Sequence, residues 1–295
     1  MGKVYDTVNL LLGDKVAGSL LDLKNELSIS YKKNIKKIIK NNIKFKDIHL
    51  GERCYILGNG PSLLDVDLKK FENEFVFSVN YFNMVPNYEN AKTNVHLWMD
   101  LNSFDLRPEV KENPELLKKN YYDMANQNPI CFVPIEAQNY ILDHKLDEIL
   151  NFNYLFINKP IDKHSVSKID LTKGIYSCST VVQYALQIAI YMGFTEIVLL
   201  GCDSTNILAQ LNTIIGSQET NLHAYSEEFD GAEEATKELL SSWNTHDFLY
   251  DQYVLFKGYE VIASFCDSKG IKIVNCSNPT LLTEIPRYNL MNIMS

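Results

Sequence analysis

Long apolar runs are missing from this chain. No stretch of 18 apolar residues occurs in its 295 positions, which argues against a helix that spans a membrane. The opening MGKVYDTVNLLLGDKV lacks the basic start, long apolar core and small-residue cleavage site of a signal peptide, so the cytoplasm is the expected compartment. No CxxC pair occurs either. The six cysteines (54, 131, 178, 202, 266 and 276) are scattered, several within apolar runs. There a reduced thiol acts as a small hydrophobe, so neither a disulfide nor a zinc site is expected. Basic residues are scarce beyond the first fifty. Residues 1–50 carry ten lysines against five acids, while the remainder carries 18 basic and 32 acidic residues. An acidic body argues against general nucleic-acid binding.

What is present is an ordinary globular composition, 46% hydrophobic and 22% charged, with a net charge of −9. Residues 1–50 read as a helical, basic extension. Between Ser30 and Lys46 there are seven lysines and no acid, and Ile35, Ile38, Ile39 and Ile43 follow helical spacing. Two readings stay open for this 30–46 helix: peripheral contact with an anionic membrane surface, on the inner face of the cytoplasmic membrane, or packing on the main domain or a second copy of the chain.

From residue 53 the pattern changes to short apolar runs: Cys54–Leu57, Phe75–Val79, Val95–Met99, Ile130–Val133, Tyr154–Ile157, Ile197–Leu200 and Ile271–Val274. Such runs, alternating with helical stretches, predict an α/β, Rossmann-like domain over 51–295, its mostly parallel central sheet of about seven strands flanked by helices. In such sheets ligands bind beyond the carboxyl ends of the strands. The residues leaving each run are small and polar: Gly58-Asn59-Gly60-Pro61-Ser62, then Asn80 and Tyr81, then Asp100 and Asn102, then Gly201-Cys202-Asp203, then Asn275, Ser277 and Asn278.

The first exit is the strongest signal. Its glycines allow positive φ and close approach of a ligand, and Ser62 can bond a phosphate or cap a following helix whose start favours an anion. The third glycine of the dinucleotide fingerprint is absent, since Leu63 stands there. Asn80 occupies the place where NAD enzymes commonly carry a ribose-binding acid, so NAD is not expected. A second candidate anion site is Thr172-Lys173-Gly174-Ile175-Tyr176-Ser177-Cys178-Ser179-Thr180, ahead of a helix over Val181–Met192. Ordinary capping by Ser179 or Thr180 explains it equally well. Asp65-Val66-Asp67 has the spelling of a metal-binding acidic pair, but i and i+2 do not share a helix face. Asp100 and Asp203 stand alone, and no metal is expected. The polar stretch of about 204–245 reads as a lid.

CYILGNGPSL, FSVNYF and TKGIYSCSTVVQYALQIAIYMGFTEIVLLGCD together resemble the bacterial family 42 sialyltransferases, which carry a variant of the GT-A fold, and the related MptE-like proteins of surface-polysaccharide and flagellin-glycosylation loci. The resemblance covers roughly residues 53–285. It implies metal-independent, inverting transfer of a sugar, sialic acid in that family, from a CMP-linked donor to a cell-surface glycan, with no other cofactor. It places Gly58, Asn59, Gly60, Pro61, Ser62 and Asn80 at the nucleotide and brings Gly174 and Ser177 to the donor. Asp100 and Asp203 border the same edge. Of a tyrosine pair that steadies the leaving phosphate, Tyr225 is one match, and the other position falls near Ser204. His246 holds the place of the general base, a role that suits an imidazole at neutral pH. His223, beside Tyr225, is its rival and could instead donate to a phosphate. His49, His96, His144 and His164 read as structural. Two other readings remain: a magnesium- and ATP-dependent diphosphate transfer to a pterin alcohol, and a non-catalytic nucleotide-sugar-binding protein.

Overall fold

The computed structural model describes residues 33–106, 113–159, 161, 166, 168–205, 207–208, 211–212, 223–224 and 244–294. Seven strands form one wholly parallel sheet: β1 (Arg53–Leu57), β2 (Val76–Val79), β3 (Thr93–Leu97), β4 (Ile130–Pro134), β5 (Asn151–Leu155), β8 (Glu196–Leu200) and β9 (Lys272–Asn275). A two-stranded ribbon pairs β6 (Ile157–Lys159) with β7 (Ile175–Tyr176). The apolar run 154–157 therefore ends one strand and begins another. The spatial order is β5-β4-β3-β2-β1-β8-β9, so the chain winds outward from β1 and later returns to build on its other side. The direction of winding reverses between β1 and β8.

Alternation along the strands sorts the core into layers. Cys54 and Ile56 of β1 face one side with Ile197 and Leu199 of β8. They pack against Ala185, Ile188 and Met192 of a helix at Val181–Met192 and Tyr259 and Ile262 of a long helix at Thr245–Lys269. Tyr55 and Leu57 face the other side with Phe71, Val198 and Leu200. Across the start of the sheet, Glu196 accepts from Arg53 Nε at 2.5 Å and from Lys272 Nζ at 2.7 Å. These three are register partners, so the network fits the β1–β8–β9 alignment.

α1 spans 33–39, α2 Pro114–Ala125, α3 Gln138–Asp143, α4 Val181–Met192, α5 Thr245–Lys269 and α6 Met291–Met294. The crossovers from β1 to β2 and from β2 to β3 contain short 3-10 turns, such as Pro61–Asp65 and Leu68–Phe71, and no α-helix.

Residues 33–50 lie against the domain. Ile35 and Ile39 pack with Ile135, and Phe45 meets Phe132 edge-on at 5.1 Å. Asn42 donates to the carbonyls of Tyr154 (2.9 Å) and Leu171 (3.2 Å). His49 N–H bonds Met192 O and Gly51 N–H bonds Gly193 O, tying the segment to the end of α4. At Lys40 the helix tightens into a 3-10 turn, Lys40–Phe45. The three-residue repeat of that turn brings positions 39, 42 and 45 onto one line, and all three are buried. Ile43, which the α-helical spacing assigns to the same face, is turned outward and is 58% exposed. No helix among the described residues is long and apolar enough to cross a membrane.

Candidate functional site

The reversal of winding between β1 and β8 is where a doubly wound sheet usually opens a crevice for ligand. Here the exits of the two strands close on each other. Gly58 N–H bonds Leu200 O and Gly60 N–H bonds Gly201 O, both at 2.8 Å. Ser62 N–H donates to Asp203 Oδ2 at 2.7 Å, and the Ser62 hydroxyl donates to Asp203 Oδ1. Leu63 N–H bonds Gly60 O. The turn therefore gives its N–H groups at 58, 60, 62 and 63 to acceptors within the protein, and Pro61 has none.

The local geometry of this exit differs from the one expected of a phosphate cradle. Neither Gly58 nor Gly60 has a positive φ. The glycines are required because the two exits touch. A Cβ on Gly60 would lie 2.7 Å from the Asp203 carboxylate, and one on Gly58 would overlap Gly201 O. The segment after the turn is a five-residue 3-10 turn, Pro61–Asp65, so no α-helix dipole points at the turn. The Asp203 carboxylate takes the position expected of a bound anion.

Asp203 is itself held from behind. Its carbonyl accepts from Leu281 N–H (2.7 Å) and the Thr280 hydroxyl (3.1 Å). Cys202 N–H bonds Ser277 Oγ at 2.8 Å, and Asn275 Nδ2 reaches Cys202 O at 3.4 Å. The polar residues leaving β8 and β9 thus knit these two exits together. Burial raises the Asp203 pKa, opposed by its bonds to Ser62.

The exits of β1, β2 and β3 differ. Asn59, Asn80 and Asn102 each bury a side-chain amide oxygen that no donor among the described residues meets. The three lie along one edge. Asn59 Nδ2 donates to Val79 O at 3.0 Å, next to Asn80. Asn80 has φ of 45°, and its carbonyl accepts from His96 Nε2 (3.1 Å) and Asn120 Nδ2 (3.4 Å). His96 in turn bonds the Ser78 hydroxyl at 2.6 Å through Nδ1 and packs on Trp98 at 4.1 Å. Trp98 meets Tyr121, whose hydroxyl donates to Ser103 O beside Asn102. Asn83 Oδ1, Asn120 Oδ1, Trp98 Nε1 and Ser103 Oγ are also buried without partners among the described residues. Native interiors leave few such groups unmatched, so a concentration of them at one sheet edge marks a place where a ligand or ordered water completes the bonding. Asn102 was legible only as a polar strand exit. Asn83, Asn120 and Trp98 carried no sequence signal, because nothing local shows that a buried amide has no partner.

Full burial drives the His96 pKa down to about 3, against a smaller upward pull from Asn80 O, so the ring is neutral at pH 7. His223 comes to the turn. Desolvation lowers its pKa to about 4, and a bond to the Asn59 backbone pulls the other way. That bond runs to the Asn59 carbonyl, the only backbone group of Asn59 that can accept from an imidazole N–H. Ala224 N–H joins the same carbonyl at 2.8 Å.

His246 is the second residue of α5, its side chain is 83% exposed, and it pairs with Asp247 at 3.1 Å. Leu255, whose carbonyl accepts from Gln183 of α4 at 2.8 Å, is nine residues further along α5, which puts His246 about 13 Å beyond that level along the axis. Gly174 (φ 101°) abuts the Asn158 side chain. Before α4, the Thr180 hydroxyl caps Val182 N–H, Gln183 Oε1 accepts from Ser179 N–H, and Tyr184 Oη accepts from Cys178 N–H. Capping thus uses N–H groups of that second candidate anion site. Asp100 caps the turn Leu101–Phe104 by accepting from Asn102 N–H at 3.1 Å. Asp65 and Asp67 are exposed, and among the described residues no group of three His, Cys, Asp or Glu could hold a metal ion. Tyr225, His164 and most of the 204–245 stretch lie outside the described residues. No protein-family model, no curated protein and no solved structure matches the chain.

Proposed function

We propose that the protein is a glycosyltransferase that binds a nucleotide-linked sugar across the carboxyl ends of β1, β2 and β3. The observation that carries this reading is the row of donorless amide oxygens at Asn59, Asn80 and Asn102. Acceptors held in place but unmatched suit a ligand rich in hydroxyl and amino donors, as a sugar and a nucleobase are. The closed β1–β8 turn supports contact with the nucleoside and sugar more than with the phosphate. The resemblance to sialyltransferases favours a CMP-linked donor and a glycan acceptor, and His223 is the base candidate nearest the row.

A second reading, a nucleotide-sugar-binding protein without turnover, is favoured by the histidines. His223 is a weak base at a pKa of about 4, and His246 stands in solvent.

Calorimetry with CMP, UDP, GDP and ATP, each with and without magnesium, tests the proposal. CMP is expected to bind without metal. Asn102→Ala is expected to weaken that binding about five- to tenfold, one hydrogen bond's worth. Its thermal midpoint should hold or rise, because Asn102 Oδ1 bonds nothing among the described residues. Binding of UDP or GDP would change the donor and keep the class. Binding of ATP only with magnesium would replace it with diphosphate transfer. Binding with no turnover on any acceptor, and none lost in His223→Ala, would favour the second reading.

A further inference from the structure

The basic segment uses one face on the domain and leaves another open. Lys33, Lys36, Lys37, Lys40, Lys44 and Lys46 are all exposed, while Ile35, Ile39, Asn42 and Phe45 are buried. Steps of about 100° per residue in α1 and about 120° in the 3-10 turn put Lys33, Lys36, Lys37, Lys40 and Ile43 on one flank. That stripe is about 16 Å long at the rises of the two helix types. No acid lies between residues 33 and 46, and Asp47 is paired with Lys46. Three aliphatic side chains of the segment are exposed: Ile43 (58%) on this flank, and Ile48 (46%) and Leu50 (74%) just past the end of the turn, where the backbone becomes extended at Lys46.

We infer that this flank is a docking surface for an anionic lipid bilayer, reached with the helix still packed on the domain. Charge complementarity is local, because residues 51–295 carry 18 basic against 32 acidic side chains and are repelled by the same surface. The aliphatic tips select lipid over other polyanions. Lysines alone serve any phosphate array, but Ile43, Ile48 and Leu50 gain only at a headgroup boundary that leads into hydrocarbon. The buried isoleucines do not take part, so this surface is not an amphipathic helix that lays its apolar side in the membrane. It is an electrostatic patch with aliphatic anchors on a folded body.

The experiment is co-sedimentation of the full chain with vesicles of phosphatidylcholine alone and of phosphatidylcholine with one-third phosphatidylglycerol, at low and at high salt. The protein is expected to sediment with the anionic vesicles only, and less as salt rises. Lys33, Lys36, Lys37 and Lys40 all changed to Gln should weaken binding by roughly a thousandfold, at about one kcal/mol per lysine. The same four changed to Arg should bind as the parent does. Ile43→Ser with Leu50→Ser should lower binding severalfold without touching the charge. The four lysines are exposed, so circular dichroism should show all variants folded. No binding by the parent, or full binding by the glutamine variant, overturns the proposal. So does binding of single-stranded RNA as tight as that of anionic vesicles and unaffected by the two serines, which would make the patch a general polyanion site.

Discussion

Asp203 shows how a buried charge can be built into a turn that otherwise looks made for a foreign anion. Its carboxylate takes both the N–H and the hydroxyl of Ser62. Removing it leaves that N–H buried and unmatched, so Asp203→Ala should cost about 2–3 kcal/mol in urea denaturation, whereas Asp203→Asn, which keeps an acceptor, should lose less. Gly58→Ala should cost a similar 2–3 kcal/mol, because its methyl group meets the Gly201 carbonyl, which is backbone. A second effect belongs to His96. Its folded pKa, about 3, lies below the ordinary value of 6.5, so the unfolded chain binds more protons between those limits and stability falls as pH drops below 6.5. Between pH 6.5 and 5 this contributes about 2 kcal/mol. Asp203 works in the opposite sense, since its raised pKa favours the protonated folded form just above 3.8. Comparison with His96→Gln isolates the histidine. The variant is less stable at pH 7, but its loss between pH 7 and pH 5 should be smaller by that amount.

At the scale of elements, the junction of α1 and its 3-10 turn sets what the N-terminal segment can do. Asn42 is buried with both amide hydrogens on backbone carbonyls from distant parts of the chain. Asn42→Ala should destabilise the whole domain by about 2–3 kcal/mol, in one cooperative transition. A separate, earlier transition would instead show that the segment folds on its own. The segment's helical period was legible in Ile35, Ile38 and Ile39, but the switch to a tighter repeat at Lys40 was not, because it depends on what Asn42 and Phe45 meet at Tyr154, Leu171 and Phe132, far along the chain. The inner strands were legible for a general reason: a strand buried on both faces is largely apolar, and the runs ending at Leu57, Val133 and Leu200 are apolar throughout. α4 was legible down to its ends, since Thr180 caps it and Gly193 closes it with φ of 94°. The candidate site was legible in position and less so in chemistry. Gly58, Gly60 and Ser62 stand at the expected strand exit, yet their partners are Leu200, Gly201 and Asp203, the last 141 residues from Ser62 and beyond the reach of any local pattern.

For the whole molecule, charge and topology divide the labour. An acidic body with one lysine flank gives the particle an electrical polarity, and the row of asparagines gives the sheet edge a chemical one. The winding order adds a constraint in time. β1 stands between β2, which follows it by about 20 residues, and β8, which follows by about 140. As the chain leaves the ribosome, amino end first, β1 through β5 can assemble while the far side of β1 still has no neighbour. Until Leu200 has been made, that side remains an uncapped edge of backbone groups flanked by some of the most apolar residues in the protein. The closure of Gly58 against Gly201 is then a late event of biosynthesis, and the Asn59 end of the sheet edge reaches its final form only once it has happened.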